Sequence, residues 1–451
     1  MALSAVCMAA AIGMNVHLPP SDTLDLSKEL GSEWIRIDFN WDIGEPQKGK
    51  YNWAPFDAVI DAAKARNLKV FATIGYTPKW ASLGNTKGDG FNNDVPEPVA
   101  YKAFVLAATQ RYADGRVAAW GTWNEPNLGD FFEGTKQQWI DNAFIPAVDA
   151  IKQGCPSCLL VGPELATIGD KYGEYLEAAL AARGSDLDVI SWHIYASFPE
   201  DDSAAGVSKD SFYNKLESHR VVKLGNTVVW QGSLSAREVL LAKGFGNLPI
   251  WVTETGREAI VGNATELETQ RKYVERVMQA QNKRAWWQKT FIYELSEEHP
   301  NGLWPDIHWG LALRTHDPDG SYADNWQRKP AFDELRACIA TSPSGTGGTG
   351  AGGGSGGTPS GGGSAGTSGS GGAAGSGFGG DAGSGASAGS GASAGGGASA
   401  SGGSGGASGS TTPAEDDGGC GCALPRAPKS GAWLGVFAAA ALALRRTGRR
   451  R

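Results

Sequence analysis

The stretch Val117-Ala118-Ala119-Trp120-Gly121-Thr122-Trp123-Asn124-Glu125-Pro126-Asn127 begins as an apolar run and ends as a polar motif. Polarity falls from Tyr112 to Ala119, so the segment reads as a buried strand, Val117 to Trp123, entering a loop. Pro126 ends the strand because proline donates no ladder hydrogen bond. Asn124 supplies amide donors beside the Glu125 carboxylate, and Trp120 and Trp123 flank it with flat apolar surface. This grouping suits a sugar site. Taken alone, the same residues also read as a helix cap or a solvated loop, so the rest of the chain has to decide.

Working outward, short apolar runs alternate with longer segments of helical period, the pattern of βα units around a parallel sheet. The runs are Ile12 to Val16, Trp34 to Phe39, Lys69 to Gly75, Val117 to Trp123, Cys158 to Gly162, Leu187 to His193, Pro249 to Thr253 and Lys289 to Glu294. Helices are expected at Asp22 to Leu30, from Pro55 to Arg66, Pro98 to Arg111, Lys136 to Lys152 with a bend at Pro146, Tyr172 to Ala182, Ser235 to Lys243, Glu266 to Arg284 and Pro330 to Ala340. Ser197 to Thr227 reads as a polar insertion. Eight units over about 330 residues predict an α/β fold, a (β/α)8 TIM barrel with enlarged loops. An open doubly wound sheet is the second choice, but no run is followed by a dinucleotide-binding glycine fingerprint or a phosphate loop. In a barrel, functional groups gather at the C-terminal ends of strands, where His17, Asp38, Trp80, Glu125, Glu164, His193, Tyr195, Glu254 and Glu294 all fall.

Composition divides the chain. Of 65 glycines, 34 lie between Gly345 and Gly419, among Ser, Ala and Thr with almost no apolar bulk, so residues 343–419 are expected to form a disordered linker after a barrel domain at 12–342. Residues 1–11, ending Ala9-Ala10-Ala11, read as the remnant of a secretory signal. In the tail, 420–451, Cys420-Gly421-Cys422 precedes the apolar stretch Gly431 to Leu444 and an arginine cluster. As a helix that stretch would span about 21 Å, short of the roughly 30 Å of a bilayer core. The net charge of -8 is spread without a basic stripe before the extreme C-terminus, which excludes nucleic acid as an expected partner. Cys155 and Cys158 read as a small structural disulfide, Cys338 stands alone, and no second cysteine pair or nearby histidine completes a zinc set.

Two glutamates at the ends of the fourth and seventh strands, Glu125 and Glu254, would face each other across a barrel mouth. Glycoside hydrolysis needs such a pair: one carboxylic acid to protonate the leaving oxygen, one carboxylate to act at the anomeric carbon or on water. Their environments are expected to separate them. Glu125, beside a charged Glu254 and aromatic walls, would keep its proton, while Arg36 and Tyr195 would keep Glu254 ionised. Arg36 and Asp38, alternating on one strand, could instead form an interior ion pair. Asp317-Pro318-Asp319-Gly320 is too short for a calcium loop and reads as a turn.

With these residues in view the chain resembles the retaining glycoside hydrolases of clan A. The matching marks are Asn124-Glu125-Pro126, Trp251-Val252-Thr253-Glu254, Arg36, and Ser191-Trp192-His193-Ile194-Tyr195. The segment Arg36 to Trp53, with Glu45-Pro46 and Gly49-Lys50-Tyr51-Asn52-Trp53, looks most like family 39, with family 5 a close alternative. The resemblance implies Glu125 as acid/base, Glu254 as nucleophile, Asn124 on the sugar 2-hydroxyl, Tyr195 and Arg36 supporting Glu254, and His193 near the site. It departs at the eighth strand, where many clan members carry tryptophan and this chain reads Ile292-Tyr293-Glu294, so Tyr293, Trp304 or Trp309 would supply the sugar platform; Trp80 and Trp304 are the upper-loop stacking candidates. No metal or organic cofactor is implied. The tail resembles the myxobacterial C-terminal sorting tag, which implies processing near Cys420 or Cys422 and an exported protein tethered at the cell surface or outer envelope; a marginal transmembrane tail is the alternative reading, and the barrel is expected to be monomeric. A barrel that binds carbohydrate without cleaving it is the alternative from another class.

Overall fold

The structure, a computed structural model, describes residues 11–84, 92–166, 170–195, 216–217, 222–224, 227–230, 234–297, 308–314 and 326–340. The signal remnant up to residue 10, Trp304, the Asp317 turn, the linker and the tail lie outside them. Eight parallel strands close a barrel: β1 (Ile12–Asn15), β2 (Trp34–Asn40), β3 (Lys69–Gly75), β4 (Ala119–Gly121), β5 (Leu159–Leu165), β6 (Val189–His193), β9 (Ile250–Thr255) and β10 (Trp287–Ile292), with β10 pairing back to β1. The expected (β/α)8 barrel is the observed fold.

At the end of the polar insertion, where no strand is expected from the sequence, β7 (Val222–Leu224) and β8 (Thr227–Trp230) form an antiparallel pair. A second small sheet, β11 (Ser296–Glu297), β12 (Ala312–Leu313) and β13 (Gln327–Arg328), closes the loop after β10. β4 is shorter than its apolar run, because its ladder with β3 ends at Thr73–Gly121 and the chain turns away to present Glu125.

The helices start where the sequence supplies caps. Helix α4 (Pro98–Arg111) opens with the Glu97 side chain accepting from the Val99 and Ala100 amides and with proline at its first position. The Thr135–Gln138 and Ser235–Glu238 capping boxes begin α5 (Lys136–Trp139) and α8 (Ala236–Ala242). Between α5 and α6 (Ile145–Gly154) the chain forms a π turn over Ile140–Phe144 next to Pro146, which is the expected bend: proline has no amide to give to the regular ladder. The predicted helix at Asp22 is a 3-10 turn, Ser21–Thr23, followed by α1 (Leu24–Leu30). Among the cysteines, Cys155 and Cys158 are bridged as expected, but Cys338 is also disulfide-bonded and so does not stand alone.

Strand alternation then builds the barrel in layers. On β2, Ile35, Ile37 and Phe39 face the helices, with Phe39 stacked on Phe56 at 4.0 Å. The other face points inward and runs Trp34, Arg36, Asp38. At the lower end Trp34, Phe71, Ala119, Val161, Val189, Trp251 and Phe291 form a buried apolar plug. Gly13 belongs to that layer because a Cβ there would lie 2.3 Å from the Phe291 ring. Two residues higher along the strands the interior turns polar, and there the site begins.

Candidate active site

β4 and β9 deliver Glu125 and Glu254 to the upper mouth, each only 8% exposed. His193, at the end of β6 and fully buried, stands between them: its Nδ1 is 2.7 Å from Glu125 Oε1 and 3.4 Å from Glu254 Oε2. One oxygen of each glutamate and this nitrogen all lie within 4.8 Å of one another. The Glu125 backbone has φ 45°, and His17 and Glu164, also at strand ends, have φ 55° and 52°. Left-handed conformations of non-glycine residues cost on the order of 1–3 kcal/mol each and concentrate at functional sites.

Arg36 holds the lower side of Glu254. Its NH1 donates to Glu254 Oε1 at 2.7 Å and to Asn15 Oδ1 at 2.9 Å; its NH2 donates to Asn124 Oδ1 at 2.8 Å. The Tyr195 hydroxyl donates to the other oxygen, Glu254 Oε2, at 2.9 Å. Asn124 is oriented by Arg36 on one side and by the Tyr76 hydroxyl, 3.2 Å from Nδ2, on the other. Arg36 and Tyr195, expected to support Glu254, both hydrogen-bond to it, and His193, expected near the site, lies against the pair. The Arg36–Asp38 ion pair is not. Arg36 reaches across the barrel to Glu254 and Glu164, while Asp38, one pleat higher, accepts from His17 Nδ1 at 2.8 Å.

Charge is distributed unevenly. Burial pushes the Glu125 carboxyl above its ordinary range and the nearby Glu254 charge adds to this, against the opposing bond from His193. Burial alone would pull His193 down, but the Glu254 charge, the bond to Glu125 and the nearby Glu164 carboxylate push it up to about 9. Below that value the imidazole carries both protons and has no lone pair to offer. The spacing of the three clustered groups would suit a metal, and a cation bound there would have to displace a proton from His193. Beside the pair, His17 bridges Asp38 and Glu294, with Nε2 3.0 Å from Glu294 Oε2. Burial lowers His17, yet the two carboxylates raise it well above its usual value, while Asp38, despite burial, is lowered by His17.

Tyr195, Tyr293 and Trp309 line one wall edge to face, Tyr195 and Trp309 with centroids 5.1 Å apart. Tyr293 and Trp309 thus stand where the sequence looked for a platform. Trp80 is half-buried and tied to the preceding loop: its indole donates to the Glu45 carbonyl at 2.8 Å and its ring meets Trp41. Glu45 in turn holds Trp41 and the Gly49 amide, which accounts for the Glu45-to-Trp53 pattern as loop architecture. Sequence reasoning placed Glu164 at a strand end without giving it a task, and it passed over Asn15, Thr73 and Tyr76. The available signal was polarity at inward positions of otherwise apolar runs.

A closed (β/α)8 barrel whose fourth and seventh barrel strands each end in a glutamate beside an arginine, a histidine and a tyrosine defines a glycoside hydrolase of clan A. The profile of the cellulases, glycosyl hydrolase family 5, matches residues 9–291, and the chain belongs to that family. Family 5 was the alternative in the sequence; the likeness to family 39 lies in the fold. A family 39 β-xylosidase from Caulobacter crescentus superposes with a TM-score of 0.53 at 20% identity, covering 76% of this chain and 74% of that one. A family 39 glycoside hydrolase from Bacteroides cellulosilyticus WH2 gives 0.50 at 18% identity, covering 74% and 64%. Among characterised relatives, a β-xylosidase of Geobacillus stearothermophilus is 26% identical over 165 residues, 35% of this chain and 33% of the relative. One from Caldicellulosiruptor saccharolyticus is 26% identical over 184 residues, 37% of each. The matched region spans about a third of the length of these relatives.

Proposed function

We propose that the protein is a retaining β-glycosidase that cleaves O-glycosyl bonds of an oligo- or polysaccharide by double displacement, with β-xylosides the first substrates to try. The observation that carries this reading is the close approach of Glu125 and Glu254, whose nearest oxygens lie within 4.8 Å. Retaining pairs stand about 5–5.5 Å apart, whereas inverting pairs leave roughly 6.5–9.5 Å for a water. Glu254, held by Arg36 and Tyr195, attacks the anomeric carbon, and Glu125 gives its proton to the departing oxygen. Water, deprotonated by Glu125, then breaks the glycosyl–Glu254 ester, and the proton returns to Glu125. Asn124, with one amide proton on Tyr76, has a second for the sugar 2-hydroxyl. The names of the matched relatives support the choice of xylosides.

Incubating the protein and its Glu254→Gln variant with xylo-, cello- and manno-oligosaccharides tests the reading. Reducing ends released by the wild type alone support it; binding without release by both proteins overturns it. Export and surface tethering are part of this proposal, supported by the likeness of the tail sequence to a sorting tag and by the Cys155–Cys158 disulfide, which suits an oxidising compartment. Protease treatment of intact cells should remove the barrel from the cell fraction; full protection would contradict surface display.

A further inference from the structure

Arg36 spends only one of its five N–H donors on Glu254. Its Nε and one NH2 proton go to Glu164 Oε2, at 3.1 and 2.9 Å, and the remaining two go to Asn15 and Asn124. Glu164 ends β5, is fully buried, and has φ 52°. The Thr73 hydroxyl donates to the same Oε2 at 2.9 Å, while Oε1 makes no hydrogen bond among the described residues. Room for Oε1 exists only because residue 121 is glycine: a Cβ there would lie 1.7 Å from it.

Backbone and side chain of Glu164 act together. Its amide donates to Ser191 Oγ at 2.8 Å, and its carbonyl accepts the Glu125 amide at 3.0 Å. His193 Nε2 lies 3.9 Å from Glu164 Oε2, while its Nδ1 faces the glutamate pair. The Arg36–Glu254 pair already balances its own charge, and a second buried carboxylate with one oxygen unbonded carries a desolvation cost.

We propose that Glu164 is a positioning residue. Its carboxylate holds one edge of Arg36 and so fixes the share of positive charge that reaches Glu254, while its carbonyl seats the backbone of Glu125. The proposal rests on the glycosidase reading for its kinetic half, but its electrostatic half can be read without turnover. Exchanging Glu164 for glutamine keeps the shape, removes the charge and exposes the site to an unshared Arg36. Exchanging it for aspartate keeps the charge one methylene further back.

The test uses the full chain labelled with 15N-histidine, with the His193 resonance assigned from a His193→Gln spectrum. In the wild type His193 should titrate near 9. In Glu164→Gln the midpoint should fall by about one unit or more. On any substrate the protein hydrolyses, kcat should drop about 10- to 100-fold with KM within about threefold. Glu164→Asp should keep the midpoint and recover part of kcat. A folded Glu164→Gln protein with an unmoved midpoint and wild-type kcat overturns the proposal, and so does Glu164→Asp being as impaired as Glu164→Gln. If neither variant folds, Thr73→Val decides: loss of that donor leaves the Glu164 charge less screened, so a raised His193 midpoint with lower kcat supports the proposal and no change in either overturns it. If the wild type hydrolyses nothing, the glycosidase reading falls and the imidazole titration alone decides on Glu164.

Discussion

The two ends of the barrel use the same strands for opposite purposes. At the lower end, Trp34, Phe71, Trp251 and Phe291 pack ring against ring around Val161, Trp34 and Trp251 edge to face with centroids 5.2 Å apart, and Lys289 caps them with its ammonium 4.8 Å from the Trp34 ring. Two to four residues further along the same strands stand Arg36, Asp38, Thr73, His193 and Glu254. Burial stabilises the lower end, whereas at the upper end it perturbs protonation and leaves polar atoms unmet. Stability and chemistry are therefore separable by height in the barrel.

The largest effect expected from breaking this division is at the mouth. Glu254→Gln should lower kcat by at least about 10⁴-fold, and Glu125→Gln by about 10²- to 10⁴-fold with less loss on glycosides of acidic leaving groups. Chemical denaturation should find both variants within about 2 kcal/mol of the wild type, since Arg36 keeps Glu164 as a partner. The complementary change at the plug, Trp251→Ala or Phe291→Ala, should cost about 3–5 kcal/mol of stability. Activity per folded molecule should stay within about threefold of wild type. A plug variant that is stable yet inactive would break the division.

Protonation offers a finer probe. Glu125 must be protonated to act as an acid, and its raised value extends that form upward, so kcat/KM should fall on the alkaline side and that limb should vanish in Glu125→Gln. His193, also raised in the folded state, contributes stability that is complete below its unfolded value of 6.5 and is lost as pH climbs toward about 9. A pH series of unfolding midpoints should decline over that window and flatten in His193→Gln. The smallest effect belongs to the disulfide: Cys155 and Cys158 are three positions apart, so the closed loop is short and a Cys155→Ser/Cys158→Ser double variant should lose at most about 2 kcal/mol with unchanged activity.

The plug and the pair differed in how readily the sequence revealed them. Periodicity exposed the strands because a buried parallel sheet demands continuous apolar runs, and the glutamates stood out as carboxylates at the ends of such runs. What the runs could not convey was how residues meet across the barrel. Arg36 and Asp38 alternate on β2 and so share its inner face, but the 3.3 Å rise per residue puts them in different layers, where each finds a different partner. Glu164 was visible yet had no assignable role, because its value depends on Gly121 leaving space on the neighbouring strand and on Arg36 arriving from across the lumen. The pair β7–β8 was hidden for another reason: strands of three and four residues at the end of a polar insertion are too short to register as a pattern.

The central claim, that Glu254 attacks sugar while Glu125 governs the proton, is tested most directly by trapping. A 2-deoxy-2-fluoro-β-xyloside with a dinitrophenyl leaving group slows both steps but release of the sugar more. Incubation should therefore add one fluoroxylosyl mass to the intact protein, and peptide mapping should place it on Glu254. An adduct on any other carboxylate, or turnover of ordinary xylosides whose first-formed sugar has the inverted anomeric configuration, would contradict the account.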